Sequence, residues 1–199
     1  AQKNVEGRNF RARESVLDYD DVMNTQREVI YAQRRKVLDG EDLRESILHM
    51  LRETVESAVA TALSENGGTA DSAGIAAALA HFDGVYFPKG AYAPPENPTA
   101  ESLVGGIYRL AVSYYDKKEA AYTAPVMREL ERVIMLRVVD EYWMDQIDAM
   151  SELKRGIGLR GYGAVKPIDA YKQEGFDMFE AMIHGIREET VRRLFTVQV

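Results

Sequence analysis

The sequence contains no cysteine. Disulfide staples, thiolate zinc sites and cysteine nucleophiles are thereby excluded, and a reducing cytoplasm suits the composition. Basic charge is in deficit. With 32 acidic against 25 basic residues the net charge is −7, a field that repels a phosphate backbone, so no nucleic-acid partner is expected. No apolar run approaches the roughly 20 residues that span a bilayer, so the chain is not expected to be membrane-spanning. The three histidines, His49, His81 and His184, are isolated and none has a second ligand at metal spacing, so no metal site is expected. The serines lack a Gly-x-Ser-x-Gly context, and no Gly-x4-Gly-Lys-Ser/Thr loop is present. The opening Ala-Gln-Lys-Asn-Val-Glu has neither an initiator Met nor the apolar segment of a signal peptide, which reads as part of a longer protein. Against these absences stand 46% hydrophobic and 29% charged residues, enough apolar side chains for a core and too many for a disordered tail.

The scarcity of proline and glycine organises the chain. Neither occurs between Arg8 and Asp39, where Val16, Met23, Ile30 and Val37 recur every seven residues with Tyr19 and Gln26 between them. One long helix is expected there, about 45–50 Å at 1.5 Å per residue, with Gly40 as its C-terminal cap. A second helix is expected from about Asp42 to Leu63, ended by Asn66-Gly67-Gly68. Thr69 or Asp71 suits the N-cap of a short Ala-rich helix ending near His81. Residues 82–98 carry Pro88, Pro94, Pro95 and Pro98 among aromatics and read as a packed loop. Thr99 is then placed to cap a helix through Leu103, Ile107, Leu110 and Tyr114.

After Pro125, the positions Met127, Leu130, Ile134, Val138, Tyr142, Ile147, Met150 and Leu153 mark one face of another long helix, expected to end near Arg155 at Gly156, Gly158, Gly161 and Gly163. Pro167 suits the first turn of a last helix with Ile168, Tyr171, Phe179, Met182, Ile186 and Leu194 on one face. These two helices, joined by about a dozen residues, form a helical hairpin. No stretch alternates as a strand does, so the expected class is all-α. A long helix (residues 1–45) and a hairpin (123–199) bracket a smaller, mostly helical insert (46–122).

Gly156-Ile-Gly158-Leu-Arg-Gly161 matches a dinucleotide fingerprint, with Glu180 about twenty residues on. That fingerprint needs a preceding strand, and a charged helical segment stands there instead. An NAD-linked enzyme rests on this pattern alone. Lys154, Arg155, Arg160 and Lys166 make the hairpin tip locally basic, and Tyr162 lies among Gly161, Gly163 and Ala164. A tyrosine so placed can stack on or hydrogen-bond to a passing chain, or fold back onto its own hairpin, and spacing leaves both open. Asp18, Asp20 and Asp21, near Arg11, Arg13, Glu14 and Arg27, read as a helix-surface ion-pair network. Metal or acid–base work fits them poorly, because positions i and i+2 of a helix point apart. Phe176, Met178, Phe179 and Met182 suit either an adaptable peptide groove or a helix core.

Several of these segments resemble a known family in its order. Gly7-Arg-Asn-Phe-x-x-Arg13, then Leu17-x-Tyr19-Asp20-Asp21-Val22-Met-Asn-x-Gln26-Arg27 and Ile30-Tyr31, is similar to the start of the helical scaffold of SecA, the motor ATPase that drives preproteins through the bacterial SecY channel. Asp140-x-x-Trp143 followed by Met150-x-x-Leu153-Lys-x-Gly156-Ile157-x-Leu-Arg160-x-Tyr162 resembles its two-helix finger, and Tyr171-Lys-x-Glu174-x-Phe176-x-Met178-Phe179 resembles the finger's second helix. The insert occupies the place of the variable helical wing domain.

The resemblance implies a mechanical part of a translocation motor, peripheral at the cytoplasmic face of the plasma membrane. Its finger loop (Leu159, Arg160, Gly161, Tyr162, Gly163, Ala164) would contact unfolded preprotein at the SecY channel, with Tyr162 the matching contact residue. The long helix would carry the nucleotide-binding and preprotein cross-linking domains of the parent chain. It implies no cofactor and no catalytic residue here, since ATP and Mg belong to those domains. An alternative role from the same family is a regulatory module that restrains ATP hydrolysis without handling substrate. The chain departs from the family where His is common at Gln146, and where Gln and Asp are common at Ala164 and Lys166.

Overall fold

The computed structural model describes residues 2–40, 43–160, 163 and 165–198, with side chains at all of these except 2–5, 11, 12 and 15. Among them the fold is all-α: α1 (Gln2–Leu38), α2 (Leu43–Glu65), α3 (Ser72–Ala80), α4 (Ala100–Tyr122), α5 (Ala124–Leu159) and α6 (Pro167–Thr196). An isolated bridge between Asp83 and Phe87 is the extended pairing found. It lies in the expected loop, whose Phe82, Tyr86 and Phe87 are buried.

The ends of the elements follow local chemistry. Gly40 after α1 and Gly67 and Gly68 after α2 have φ of +81°, +71° and +80°, a region that costs a side-chain-bearing residue but not glycine. Asp71 caps α3 by accepting from the amides of Ala73 and Gly74. Thr99 caps α4 in a reciprocal box with Ser102, which satisfies two otherwise orphaned amides. Pro167 is the first residue of α6.

The expected end of α5 is corrected. The helix runs past Arg155 through Gly156 and Gly158 to Leu159, leaving a connection of seven residues, 160–166, in place of about a dozen. A helical glycine costs about 1 kcal/mol relative to alanine. Ile157, between the two, is buried in one cluster with Ala170 and Tyr171 of α6, and burial of a side chain that size contributes about 1.5–3 kcal/mol. Packing therefore carries the helix through its weak turn.

The described residues gather into two compact units. The first comprises Ala1–Asp39 and Val139–Gly185. Its core holds Met150, Leu153, Ile157, Ala170 and Tyr171, with Tyr19, Val22 and Met23 of α1 packed against them. The expected α1 stripe is buried at Ile30 and Val37, whereas Val16 is 53% exposed; it precedes the α1 residues that pack on that core. The second unit comprises Gly40–Val138 and Ile186–Val199. Its core joins Leu51, Val55 and Val59 of α2, Leu103, Ile107 and Ala111 of α4, the loop aromatics, and Val191 of α6. The division by element order at 45/46 and 122/123 and this division by compactness are different descriptions, since α5 and α6 each contribute to both units.

Candidate functional site

The hairpin end is built from the last turns of α5 and the first turns of α6. The amide of Arg160 closes α5 onto the carbonyls of Gly156 (3.1 Å) and Ile157 (3.3 Å), while those of Asp169 and Ala170 close α6 onto the carbonyl of Lys166. Beneath the loop, Tyr171 packs ring to ring with Tyr19 of α1 at 4.7 Å. Leu159 stands in solvent at 86% exposure and Val165 at 50%. A Cβ added at Gly163 would meet nothing within 4 Å. Leu159, Arg160 and Gly163 of the expected loop set are thus described; Gly161, Tyr162 and Ala164 lie outside the described residues.

The expected basic surface of the tip is largely occupied by its own neighbours. The Arg160 guanidinium pairs with Glu174 at 2.9 Å and Arg155 with Glu152 at 2.8 Å. The Lys154 ammonium lies over the Tyr19 ring at 5.1 Å, a favourable cation–π distance.

The acidic stretch of α1 is placed differently from a network. Arg27 donates to the side chain of Asn24 at 2.8 Å, and Thr25 donates to the backbone carbonyl of Asp21. Asp20 and Asp21 are exposed. Among the described residues no ion pair joins Arg13, Asp18, Asp20, Asp21 and Arg27 to one another, and the Arg11 side chain lies outside the described set. The physical reason is spacing: few opposite charges fall at i+3 or i+4 in this stretch. An ion pair does tie α1 to another helix at Arg34, which meets Asp140 of α5 at 2.9 Å.

The two alternatives for the Phe/Met set divide between its members. Met182 is buried and Phe176 is 58% exposed. Phe176 and Phe179 line a groove of ≈ 510 Å³ with Val22 and Val29 of α1, bordered by Asp21 and Lys172.

Polar side chains whose partners no sequence pattern indicates form two buried nodes. In the first unit Gln146 of α5 donates to Gln26 of α1 at 3.0 Å, and Gln26 donates to the Gly175 carbonyl of α6 at 3.1 Å. In the second unit Glu131 is fully buried, accepts from the Tyr115 hydroxyl and pairs with Arg128 at 2.9 Å. Burial pushes its carboxyl above the ordinary range, and burial likewise raises the Tyr115 phenol. Lys118 of α4 donates to the carbonyls of Leu194 (2.7 Å), Phe195 (3.3 Å) and Val197, ending α6 with a cation where the helix dipole is negative. No motif announces these nodes. The one available signal is a polar residue at a core position of the helical period, as at Gln26.

The described residues thus form a long first helix, an inserted helical unit and a hairpin with Leu159 and Val165 uncovered near its tip. The family described as the SecA wing and scaffold domain matches residues 1–198. Protein translocase subunit SecA 1 of Alkaliphilus metalliredigens (strain QYMF) is 48% identical over 202 residues, covering 100% of this chain and 22% of that protein. Protein translocase subunit SecA of Clostridium botulinum (strain Alaska E43 / Type E3) is 46% identical over 201 residues, covering 100% and 24%. SecA 1 of Clostridioides difficile (strain 630) is 46% identical over 203 residues, covering 100% and 22%. The chain belongs to the SecA wing and scaffold domain family, and it spans 22–24% of the length of these relatives.

Proposed function

We propose that this chain is the scaffold and wing part of a SecA-type, ATP-driven protein translocation motor, and that its hairpin loop meets unfolded preprotein at the mouth of a SecY channel. The supporting observation is the exposure of Leu159, at 86% the most exposed large hydrophobic side chain among those described. It is the last residue of α5, two residues after buried Ile157. Apolar groups at a hairpin tip held by two closed helix ends suit an extended polypeptide, because they grip by removing apolar surface from water and demand no particular sequence. ATP and Mg would be handled by nucleotide-binding domains of the parent chain, which together with a preprotein cross-linking domain would rest on α1. The motor would work peripherally at the cytoplasmic face of the plasma membrane; no described helix is long and apolar enough to cross one.

Replacement of Tyr162 by Ala in the complete motor is expected to slow preprotein translocation severalfold in a vesicle import assay. Unchanged translocation would contradict the gripping role.

A second role, restraint of ATP hydrolysis, is favoured by the uncovered Phe10, Leu17, Tyr31 and Leu38 of α1. They fall at multiples of seven residues and so share one face of the helix. If the parent's other domains dock there, Leu17→Asp in the complete motor raises ATP turnover in the absence of preprotein. An unaltered rate would remove this reading.

A further inference from the structure

A single residue, Thr123, separates the end of α4 from the start of α5. Its amide donates to the Glu119 carbonyl at 2.8 Å to close α4, and its carbonyl accepts from the Met127 amide at 3.1 Å to begin α5. One residue serving both helices must turn the chain by itself, and it does so at φ +79° and ψ 151°. Thr123 is the one non-glycine residue among those described with a positive φ. That region suits glycine, and a β-branched side chain is held there only against steric strain.

Such a conformation persists where the surroundings over-determine it, and charge does so here. Arg128, one turn into α5, donates to Glu119 in the last turn of α4 and pairs with Glu131 at 2.9 Å. Fully buried Glu131 accepts from the Tyr115 hydroxyl of α4. Arg44 of α2 holds the same end of α4, meeting Glu119 at 2.9 Å and Asp116 at 2.5 Å. The clamp is only partly satisfied. Nε of Arg128 and Oε2 of Glu131 are buried with no hydrogen-bond partner among the described residues, and a partly satisfied buried network disfavours the state that contains it.

From this geometry we infer that the α4–α5 corner is a conformational device, a joint closed under strain and kept shut by the Glu119–Arg128–Glu131–Tyr115 clamp. Opening lets Thr123 leave the positive-φ region and lets water reach the two unpaired groups, so the open corner lies close in free energy to the closed one. Arg128 and Glu119 keep 32% and 23% of their side chains in solvent, so a competing charge reaches them without unpacking the core. The joint lies within the second unit and is independent of what the hairpin loop touches.

The test is amide hydrogen exchange over residues 118–128 of the complete motor, with residues 64–72 at the α2–α3 turn as reference. Thr123→Gly removes the strain and is expected to slow exchange at the corner about two- to thirtyfold, the strain of such a conformation less glycine's own entropy cost. Thr123→Ala keeps a Cβ and is expected to stay within about twofold of the parent rate. Arg128→Gln breaks the clamp and is expected to speed exchange about tenfold or more. Joining it to Thr123→Gly brings the rate back toward the parent's, because both act on one opening. Equal rates for the glycine and alanine variants would overturn the strain, and a double variant as fast as Arg128→Gln would overturn its link to the clamp. The same changes in the reference segment would make the effect one of global stability and overturn the local joint. Should Arg128→Gln fail to fold, the comparison of glycine with alanine decides by itself.

Discussion

Gln26, Gln146 and the Gly175 carbonyl form a hydrogen-bonded run through the core of the first unit, one member from each of α1, α5 and α6. A buried amide is stabilising only while its partners remain, so the run is sensitive to one loss and tolerant of two. Gln146→Leu leaves the Gln26 carbonyl oxygen unpaired and is expected to cost about 1–3 kcal/mol. Gln26→Leu strands the Gln146 amide to similar effect, whereas the double replacement costs less than the sum of the singles. Urea denaturation of the four proteins checks this, and strict additivity would contradict it. Gly175 itself is a close-approach position: a methyl group there overlaps the end of the Met150 side chain. Lys118 acts in the same way at the end of α6, where its ammonium serves three carbonyls. Lys118→Met is expected to lower stability by about 1.5–3 kcal/mol, the range for hydrogen bonds to a charged group. A change within a few tenths in the same experiment would contradict it.

The helices were legible where the signal is local. Thr99, Asp71, Gly40, Gly67 and Pro167 each mark an end through their own side chain or backbone preference, and the observed boundaries lie there. Thr99→Ala, which removes half of the reciprocal box, is expected to cost about 1 kcal/mol, measured as a lowered thermal midpoint. Legibility failed along α5, where the deciding interactions come from elsewhere in the chain. Following apolar residues alone chose Leu130, Ile134 and Ile147 for the inner face. The buried positions are Glu131, Met135 and Gln146; Glu131 accepts from Tyr115 of α4 and Gln146 donates to Gln26 of α1. A hydrophobic count thus slips by one residue at Glu131 and Gln146, where the core position is polar. The glycines near the end of α5 misled in the opposite sense: their intrinsic cost is real, and the packing of Ile157 outweighs it. At the candidate site, the exposed loop was legible from its glycines, while the partners of its charges were not.

At the scale of the whole molecule, two carboxylates give the second unit opposing responses to pH. Glu189 is held down to about 2 by its hydrogen bond from Arg192, with Arg193 adding to it. A depressed native value contributes stability that is present above the unfolded value near 4.5 and is lost as pH falls toward 2. Glu131 is displaced upward by burial, so its contribution is present below about 4.5 and is lost as pH rises through its raised native value. Glu189→Gln is therefore expected to flatten the stability profile on the acid side of pH 4.5, and Glu131→Gln to flatten it on the other side. Melting curves at stepped pH distinguish the two, and an acid limb unchanged in Glu189→Gln would contradict the assignment. The central claim concerns the loop and is best met in the complete motor. This chain has no cysteine, so one introduced at position 162, with any cysteines of the parent replaced, reports on that position alone. With a cysteine-bearing preprotein stalled in the channel, the account predicts a disulfide cross-link that requires both ATP and the channel. Failure to cross-link, while control positions elsewhere on the motor succeed, would contradict it.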